Sequence, residues 1–178
     1  QTQNEEFQNK VCIITGGAGS IGMESAKLMY EAGARVMLVD QDRDSLEIAK
    51  TNFKDDDRIM VCEADVSDST QTKDYITKTI TKWDKIDILF ANAGFSGTSA
   101  PITSYPDDIF DKVMAVNVRG SFLACKYALP EMNNKGSIII TSSIMGVTAR
   151  PGSIAYITSK HALIGLMRGV AKEAAPRN

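Results

Sequence analysis

The feature that most constrains the fold is a short apolar run followed at once by a glycine-rich turn and a helical pattern. Residues 10–15 are β-branched and almost wholly apolar, as expected of a central parallel strand covered on both faces. Four glycines within residues 16–22 then open a helical pattern predicted for residues 23–32, with Gly33 as its stop. A strand, a glycine-rich turn and a helix in this order are typical of phosphate-binding α/β domains.

Strand and helix patterns alternate along the rest of the chain. Further strands are predicted at residues 35–40, 58–63, 86–91 and 137–141, and further helices at 42–53, 67 or 68 to 83, 107–133 and 153–174 or 175. Gly120 and Pro130 weaken the continuity of the long helix over 107–133. The alternation predicts right-handed crossovers and a three-layer, doubly wound parallel sheet, a Rossmann fold, as one domain over residues 1–178.

Composition excludes several classes of partner. The chain has 178 residues, 43% of them hydrophobic, which is enough for a buried core, and its net charge of -2 gives no electrostatic reason to bind nucleic acid or an anionic membrane. No segment approaches the roughly 18 apolar residues of a spanning helix, and the polar, acidic start shows no signal peptide. Cys12, Cys62 and Cys125 are far apart, so we expect buried free thiols, no metal site and a cytoplasmic location.

An acid follows the second predicted strand. Gly17, Gly19 and Gly22 satisfy the G-x-G-x-x-G pattern, which is weak by itself, and Asp40 lies eighteen residues after Gly22. A carboxylate there can accept hydrogen bonds from both adenosine ribose hydroxyls and repels a 2′-phosphate, so the pattern favours NAD over NADP. The alternative for Asp40 is a solvated strand end.

A hydroxyl, a phenol and an amine come together near the fifth strand. Tyr156 and Lys160 are four residues apart, so a helix would place both on one face, where the ammonium favours the phenolate. Ser143 lies thirteen residues before Tyr156 and follows an apolar run, so it would stand at the carboxyl end of a strand, where open α/β sheets bind ligands. Taken alone, a Tyr–Lys pair at this spacing is more often an aromatic ring packed on a lysine stem than a catalytic pair.

Further motifs extend this set. They are Thr15-Gly16-x-x-x-Ser20-Ile21-Gly22, Asp65-Val66, Asn92-Ala93-Gly94 and Asn117. Together with Ser143, Tyr156 and Lys160 they resemble the short-chain dehydrogenase/reductase family, in its single-domain branch with a Tyr-x-x-x-Lys active site. The resemblance covers nearly all of residues 7–178. Ser20 departs from it, since the family has a glycine there and a serine adds a Cβ and a hydroxyl close to the cofactor.

The resemblance implies an oxidoreductase that transfers a hydride between NAD(H) and a secondary alcohol or ketone. Tyr156 would be the acid/base, Ser143 would hydrogen-bond the substrate oxygen, Lys160 would favour the phenolate and hold the nicotinamide ribose, and Asn117 would support a water-linked proton path. The alternative for Asn117 is a role in a helix kink or in hydrogen bonds to the backbone, and the two roles are compatible. The implied cofactor-binding residues are Gly16, Ser20, Ile21, Gly22, Asp40, Asp65, Val66, Asn92, Ala93, Gly94, Tyr156 and Lys160. The family also implies a homodimer or homotetramer in which the long helix and the last helix pair with their symmetry mates.

Alternatives remain open at this point. A nucleotide-binding regulator or scaffold could keep the fold without turnover, although it would more naturally have lost Tyr156 or Lys160, and reductive use of NADP is disfavoured by Asp40. His161, next to Lys160, is expected at a surface or interface. Phe95, Met145, Val147 and Ile154 favour an apolar substrate pocket. The family's sixth and seventh strands are missing from this sequence, which we interpret as an incomplete record of a longer chain.

Overall fold

The computed structural model describes residues 6–54 and 57–177. Its strands are β1 (Val11–Thr15), β2 (Arg35–Asp40), β3 (Ile59–Glu63), β4 (Ile86–Ala91) and β5 (Met132–Ile140). Its α-helices are α1 (Ser20–Glu31), α2 (Arg43–Lys50), α3 (Ser69–Trp83), α4 (Asp107–Val113), α5 (Gly120–Ala128) and α6 (Ile154–Ala174). The predicted strands and helices are present within these ranges, except that the helix predicted for residues 107–133 is divided, and the alternation of the two types is confirmed.

The described strands form one parallel sheet in the order β3-β2-β1-β4-β5. Strand β1 is central and pairs with β2 from Val11 to Thr15 and with β4 through Cys12, Ile13 and Ile14. Strand order reverses beside β1, because the chain leaves β3 at one edge and returns through α3 to β4 on the other side of β1. In a doubly wound sheet the crevice above such a switch point is where ligands bind.

Successive residues of the central strands belong to two separate hydrophobic clusters, one on each face of the sheet. Ile13 of β1 packs in a cluster with residues of α3 and α5, whereas the adjacent Ile14 packs with residues of α1 and α2. The same alternation holds in β2, where Met37 belongs to the first cluster and Leu38 to the second. Helices therefore cover both faces of the sheet, as predicted, and the near-continuous apolar character of β1 follows from burial on both faces.

The long helix predicted for residues 107–133 is interrupted by a π-helical turn and ends before residue 133. Helix α4 ends at Val113, a π-helical turn covers Met114–Arg119, α5 ends at Ala128, and a 3-10 turn over Leu129–Glu131 leads into β5. The π turn widens the helix by one residue per turn, and Pro130, which lacks an N–H donor, does not allow α5 to continue. Both positions that weakened the prediction, Gly120 and Pro130, lie at these breaks.

The fifth strand is also longer than predicted, beginning at Met132 rather than at residue 137. Met132 pairs with Ile86, and the register shifts before Ile88 pairs with Ser137. Lys135 inside this stretch has a φ of 62°, in the left-handed region. The polar residues between Met132 and Ser137 form an irregular, exposed part of the strand, which an apolar pattern does not predict.

Other boundaries differ by a few residues. Helix α1 begins at Ser20 rather than residue 23, and α2 ends at Lys50 rather than residue 53. Of the two predicted caps for α3, Asp68 performs the role, since its carboxylate accepts from the Thr70 and Gln71 N–H groups. The charge run Asp55-Asp56-Asp57, whose composition predicts a solvated turn, lies partly outside the described residues.

The three cysteines are buried free thiols, as predicted. Burial raises the pKa of Cys12 to about 12 and that of Cys125 to about 11, so both are protonated at neutral pH. In the part of the chain that the structure describes, no group of three or more His, Cys, Asp or Glu side chains could hold a metal ion. Over the same ranges, no helix is long and apolar enough to cross a membrane.

Candidate functional site

A cleft of about 460 Å³ lies at the carboxyl ends of the strands, above the switch point beside β1. Eleven of the residues predicted to bind cofactor line it: Gly16, Ser20, Ile21, Asp40, Asp65, Val66, Asn92, Ala93, Gly94, Tyr156 and Lys160. These residues come from the ends of several strands and from α1 and α6, which the parallel sheet brings to one edge. The volume falls within the range of pockets that hold small-molecule cofactors.

The glycine-rich turn is packed too closely for side chains at two positions. Gly16 has a φ of 65°, and a Cβ there would lie 3.0 Å from the Ala93 Cα. A Cβ on Gly22 would collide with the Gly16 carbonyl oxygen. Gly22 is buried under the loop rather than lining the cleft, so it shapes the backbone instead of contacting a ligand. The turn is thus a cradle of bare backbone at the N-terminus of α1.

Helix α1 presents that N-terminus to the cleft. Its N-cap, Gly19, has no side chain to accept the first N–H groups, and the first turn carries no acidic residue. Unsatisfied N–H groups and the positive end of the helix dipole favour an anion at this position. The exposed Ser20 adds a hydroxyl to the same cleft wall, so its departure from the family pattern leaves the cradle intact.

Asp40 connects the end of β2 to the glycine-rich turn. One carboxylate oxygen accepts from the Ala18 N–H at 3.2 Å and the other from the Gln41 N–H at 2.8 Å. These bonds, with a longer one from the Asp42 N–H to the same oxygen as Gln41, fix the carboxylate at the rim of the cleft, where the oxygen bonded to Ala18 retains capacity to accept a further hydrogen bond. This is the chemistry that a ribose diol requires, so the donor and acceptor set at this end fits an adenosine dinucleotide.

The turn after β4 is held against β1 by a threonine. The Thr15 hydroxyl accepts from the N–H groups of both Asn92 and Ala93, at 3.0 and 3.1 Å. The Asn92 side chain in turn donates to the Thr15 carbonyl and accepts from the Thr141 hydroxyl after β5. Asn92 therefore connects the carboxyl ends of three neighbouring strands, β1, β4 and β5, and lines the cleft at this point.

Asp65 and Val66 form another part of the wall. The Asp65 carboxylate accepts from the backbone N–H and the hydroxyl of Ser67, at 2.8 and 2.7 Å. Val66 packs closely on Gly120, where a Cβ would lie 2.8 Å from the nearest Val66 methyl group. Gly120 thus allows α5 to approach the cleft wall.

Tyr156 and Lys160 lie one helical turn apart on α6, as predicted. The Lys160 ammonium lies 5.4 Å from the centroid of the Tyr156 ring and donates to the Thr141 carbonyl at 2.8 Å. Lys160 is 3% exposed, and this burial lowers the pKa of its ammonium from the usual value. The Tyr156 hydroxyl makes no hydrogen bond within the described residues, so it is available to a ligand in the cleft.

Asn117 lies in the π turn, fully buried, and contacts both the loop after β4 and helix α6. Its side chain bonds to the Phe95 backbone and donates to the Ser159 hydroxyl at 2.9 Å. A Cβ on Gly94 would lie 3.5 Å from the Asn117 amide oxygen and 3.7 Å from the Lys160 nitrogen. Asn117 and Lys160 thus both lie close to Gly94, although Asn117 does not line the cleft itself.

Ser143 follows β5 and begins a 3-10 turn. Its hydroxyl oxygen accepts from the Met145 N–H at 3.1 Å, and no acceptor among the described residues takes its proton. The neighbouring Ser142 donates to the Lys160 carbonyl at 3.0 Å, which attaches this turn to α6. Ser143 lies beyond the residues that line the cleft, but its proton remains available to donate.

Sequence reasoning did not single out Ser159, a buried serine of α6, or Lys112, an exposed lysine of α4. Thr15 belonged to the glycine-loop motif, but the bonds of its hydroxyl to the turn after β4 were not predicted. Of the apolar residues expected near Tyr156, Phe95 and Ile154 share one cluster, whereas Val147 is exposed. His161 is on the surface, as expected.

The comparisons with known proteins agree with this geometry. Residues 10–178 match the family model described as short chain dehydrogenase. The chain is 39% identical over 174 residues to short chain aldehyde dehydrogenase 1 of Euphorbia lathyris, covering 96% of this chain and 60% of that protein. It is 34% identical over 172 residues to levodione reductase of Leifsonia aquatica, covering 94% and 64%. The chain thus spans about three fifths of the length of these relatives.

Solved structures give the same fold. The crystal structure of levodione reductase superposes with a TM-score of 0.92 at 33% identity, covering 96% of this chain and 68% of that one. That of NAD⁺-bound xylitol dehydrogenase superposes with a TM-score of 0.91 at 34% identity, covering 97% and 68%. On the family model, the identities and the fold together, the chain belongs to the short-chain dehydrogenase/reductase family of oxidoreductases.

Proposed function

We propose that this chain is the greater part of an NAD-dependent oxidoreductase that interconverts a secondary alcohol and a ketone. The observation that carries the proposal is that one cleft joins a bare-backbone phosphate cradle, a ribose-accepting carboxylate and a phenol–ammonium pair. A non-catalytic nucleotide-binding protein needs the phosphate cradle and the carboxylate, but the phenol–ammonium pair has no role in it.

Different residues of the cleft would bind different parts of the cofactor. The N–H groups at the start of α1 would hold the diphosphate, Asp40 would accept from the adenosine ribose, and Lys160 would donate to the nicotinamide ribose. Asp65 and Val66 would lie beside the adenine, and residues 92–94 would line the cleft from there toward Lys160, which lies close to Gly94. When bound, NAD supplies the hydride acceptor for alcohol oxidation and NADH the donor for ketone reduction.

Proton transfer falls to Tyr156. Its hydroxyl has no partner among the described residues, so it can face the substrate oxygen, to which Ser143 donates a second hydrogen bond. In oxidation Tyr156 would act as the base that takes the proton of the substrate hydroxyl, while the carbon bearing that hydroxyl would give up its hydride to bound NAD. Lys160, 5.4 Å from the ring centroid, places a positive charge beside Tyr156, and Asn117 holds the segment beside Lys160 through which a water-linked path would run.

The test is NADH formation by the purified protein with a panel of secondary alcohols, diols, sugar alcohols and hydroxy acids, with NAD and NADP supplied separately. The Tyr156→Phe variant should lose turnover and keep NAD binding. The matched control is Tyr127→Phe, which removes a phenol from α5 outside the cleft and should leave the rate unchanged. Saturable NAD binding without turnover on any alcohol would favour a regulator instead.

Assembly and location follow as secondary proposals. Phe122 on α5 and Met167 on α6 are each 44% exposed, which supports self-association through these helices as a dimer or tetramer. Sedimentation as a monomer would contradict this. Three buried free thiols support a reducing compartment such as the cytoplasm.

A further inference from the structure

An exposed lysine lines the cleft beside the candidate catalytic residues. Lys112, near the end of α4, has its ammonium nitrogen 5.0 Å from the centroid of the Phe95 ring. Its neighbours Asp108 and Asp111 are acidic, but among the described residues Lys112 forms no ion pair with either. The ammonium is therefore held by an aromatic face and has no counter-charge from the described part of the chain.

Phe95 has a fixed position, which in turn places Lys112. Its backbone N–H and carbonyl are both bonded to Asn117, and its ring packs in the cluster that contains Ile154 and Ala155. Ala155 directly precedes Tyr156. The ammonium of Lys112 thus lies over a ring anchored next to the catalytic end of the cleft.

The other charged side chains that line the cleft already form hydrogen bonds within the protein. Asp40 and Asp65 accept backbone hydrogen bonds, and the buried Lys160 donates to the Thr141 carbonyl. Among the described residues that line the cleft, Lys112 is the exposed cation. A ligand carrying negative charge would find its most accessible counter-charge there.

We propose that Lys112 is an anion-contacting residue of this cleft that pairs with anionic oxygens of a bound ligand, either the phosphates of the dinucleotide or a carboxylate of the substrate. This rests on the proposed function, since it takes the cleft to be the nucleotide and substrate site. The flexible lysine stem lets the ammonium move from the Phe95 ring toward either anion.

Calorimetric titration separates the two sources. ADP-ribose and uncharged adenosine are titrated into the wild-type protein and the Lys112→Gln variant, at low and at raised salt. If the phosphates are the anion, the substitution weakens ADP-ribose binding by about threefold to tenfold, reduces its salt dependence and leaves adenosine unchanged. Lys112→Arg should restore most of the affinity.

If a substrate carboxylate is the anion, ADP-ribose binding is unchanged, and the KM for a hydroxy acid rises while that for a neutral alcohol of the same length does not. The control is Lys126→Gln, which removes another exposed lysine held over aromatic rings, on α5 outside the cleft. Equal behaviour of Lys112→Gln and Lys126→Gln in every assay overturns the proposal. Failure of the wild-type protein to bind ADP-ribose would instead overturn the proposed function.

Discussion

The Asn117 side chain and the Phe95 backbone bond to each other twice. The Phe95 N–H donates to the Asn117 amide oxygen at 2.7 Å, and the amide nitrogen donates to the Phe95 carbonyl at 3.0 Å. The same nitrogen donates to the Ser159 hydroxyl, which itself donates to the Tyr156 carbonyl at 2.8 Å. One buried amide thus joins the loop after β4 to the helix that carries Tyr156.

Replacing Asn117 by aspartate should lower both the free energy of unfolding and the rate of turnover. The carboxylate can still accept from the Phe95 N–H, but it cannot donate to the Phe95 carbonyl, so two buried oxygens face each other. We expect the free energy of unfolding to fall by about 1–3 kcal/mol, measured by urea denaturation. The control is Asn134→Asp on the exposed part of β5, and equal losses in the two variants would contradict the role of Asn117.

Gly22→Ala should weaken cofactor binding. The added Cβ collides with the Gly16 carbonyl, so the loop must open or shift, and the N–H groups at the start of α1 leave their positions. We expect NAD affinity to fall at least about tenfold, measured by calorimetry.

The matched control lies in α6. Gly169 is helical and a Cβ there meets no atom within 4 Å, so Gly169→Ala should stabilise the helix by about 0.5–1 kcal/mol and leave NAD affinity unchanged. If both alanine substitutions weakened NAD binding alike, the close contact at Gly22 would not be the cause.

Much of the fold follows from local pattern. The runs that became β1 and β4 are apolar on both faces because helices cover both faces of the sheet, and periodicity predicts this. The π turn in the long helix does not follow, because it adds about one residue to a single turn, and so small a change in the spacing of apolar residues cannot be recognised in one sequence. The start of β5 at Met132 depends on pairing with Ile86, a contact that no local pattern contains.

The candidate site divides in the same way. The sequence is enough to recognise the glycines of the turn and the pair Tyr156 and Lys160. In both cases the residue type and its spacing determine where the residue lies in the fold. The sequence does not mark Lys112 and Ser159 as residues of the site, since an exposed lysine and a buried serine are ordinary residues of a helix. Their neighbours in space, Phe95 and Asn117, are distant in sequence, and only the folded chain brings them together.

Asp40→Ala should reduce the preference for NAD over NADP. The carboxylate at the rim repels a 2′-phosphate, and removing it removes both that repulsion and the acceptor for the ribose hydroxyls. We expect the ratio of kcat/KM with NAD to that with NADP to fall by about tenfold or more. Asp111→Ala, an exposed acid on α4 outside the cleft lining, serves as the control. An unchanged ratio in Asp40→Ala would remove the argument for NAD.

Asp87, at the opposite end of the sheet from the cleft, is 5% exposed and accepts from several donors. The Val11 N–H donates to its carboxylate at 2.9 Å and the Asn133 amide at 3.0 Å, and Lys85 lies at 3.2 Å. Burial by itself would raise the pKa of Asp87, but the hydrogen bonds from Val11, Asn133 and Lys85 together hold it below the usual value.

This carboxylate should make folding stability depend on pH. Because the pKa of Asp87 is lower in the folded chain than the ~3.9 of an unfolded aspartate, its contribution is present above that pH and is lost as the pH falls through the folded value. Asp87→Asn removes the contribution, so its stability deficit against the wild type should be largest near neutral pH and should shrink as the pH falls toward about 3. Urea denaturation midpoints across that range measure the deficit, with the exposed Asp111→Asn as control. A deficit that stays constant over the whole range would mean that lost packing, rather than the charged carboxylate, explains the effect.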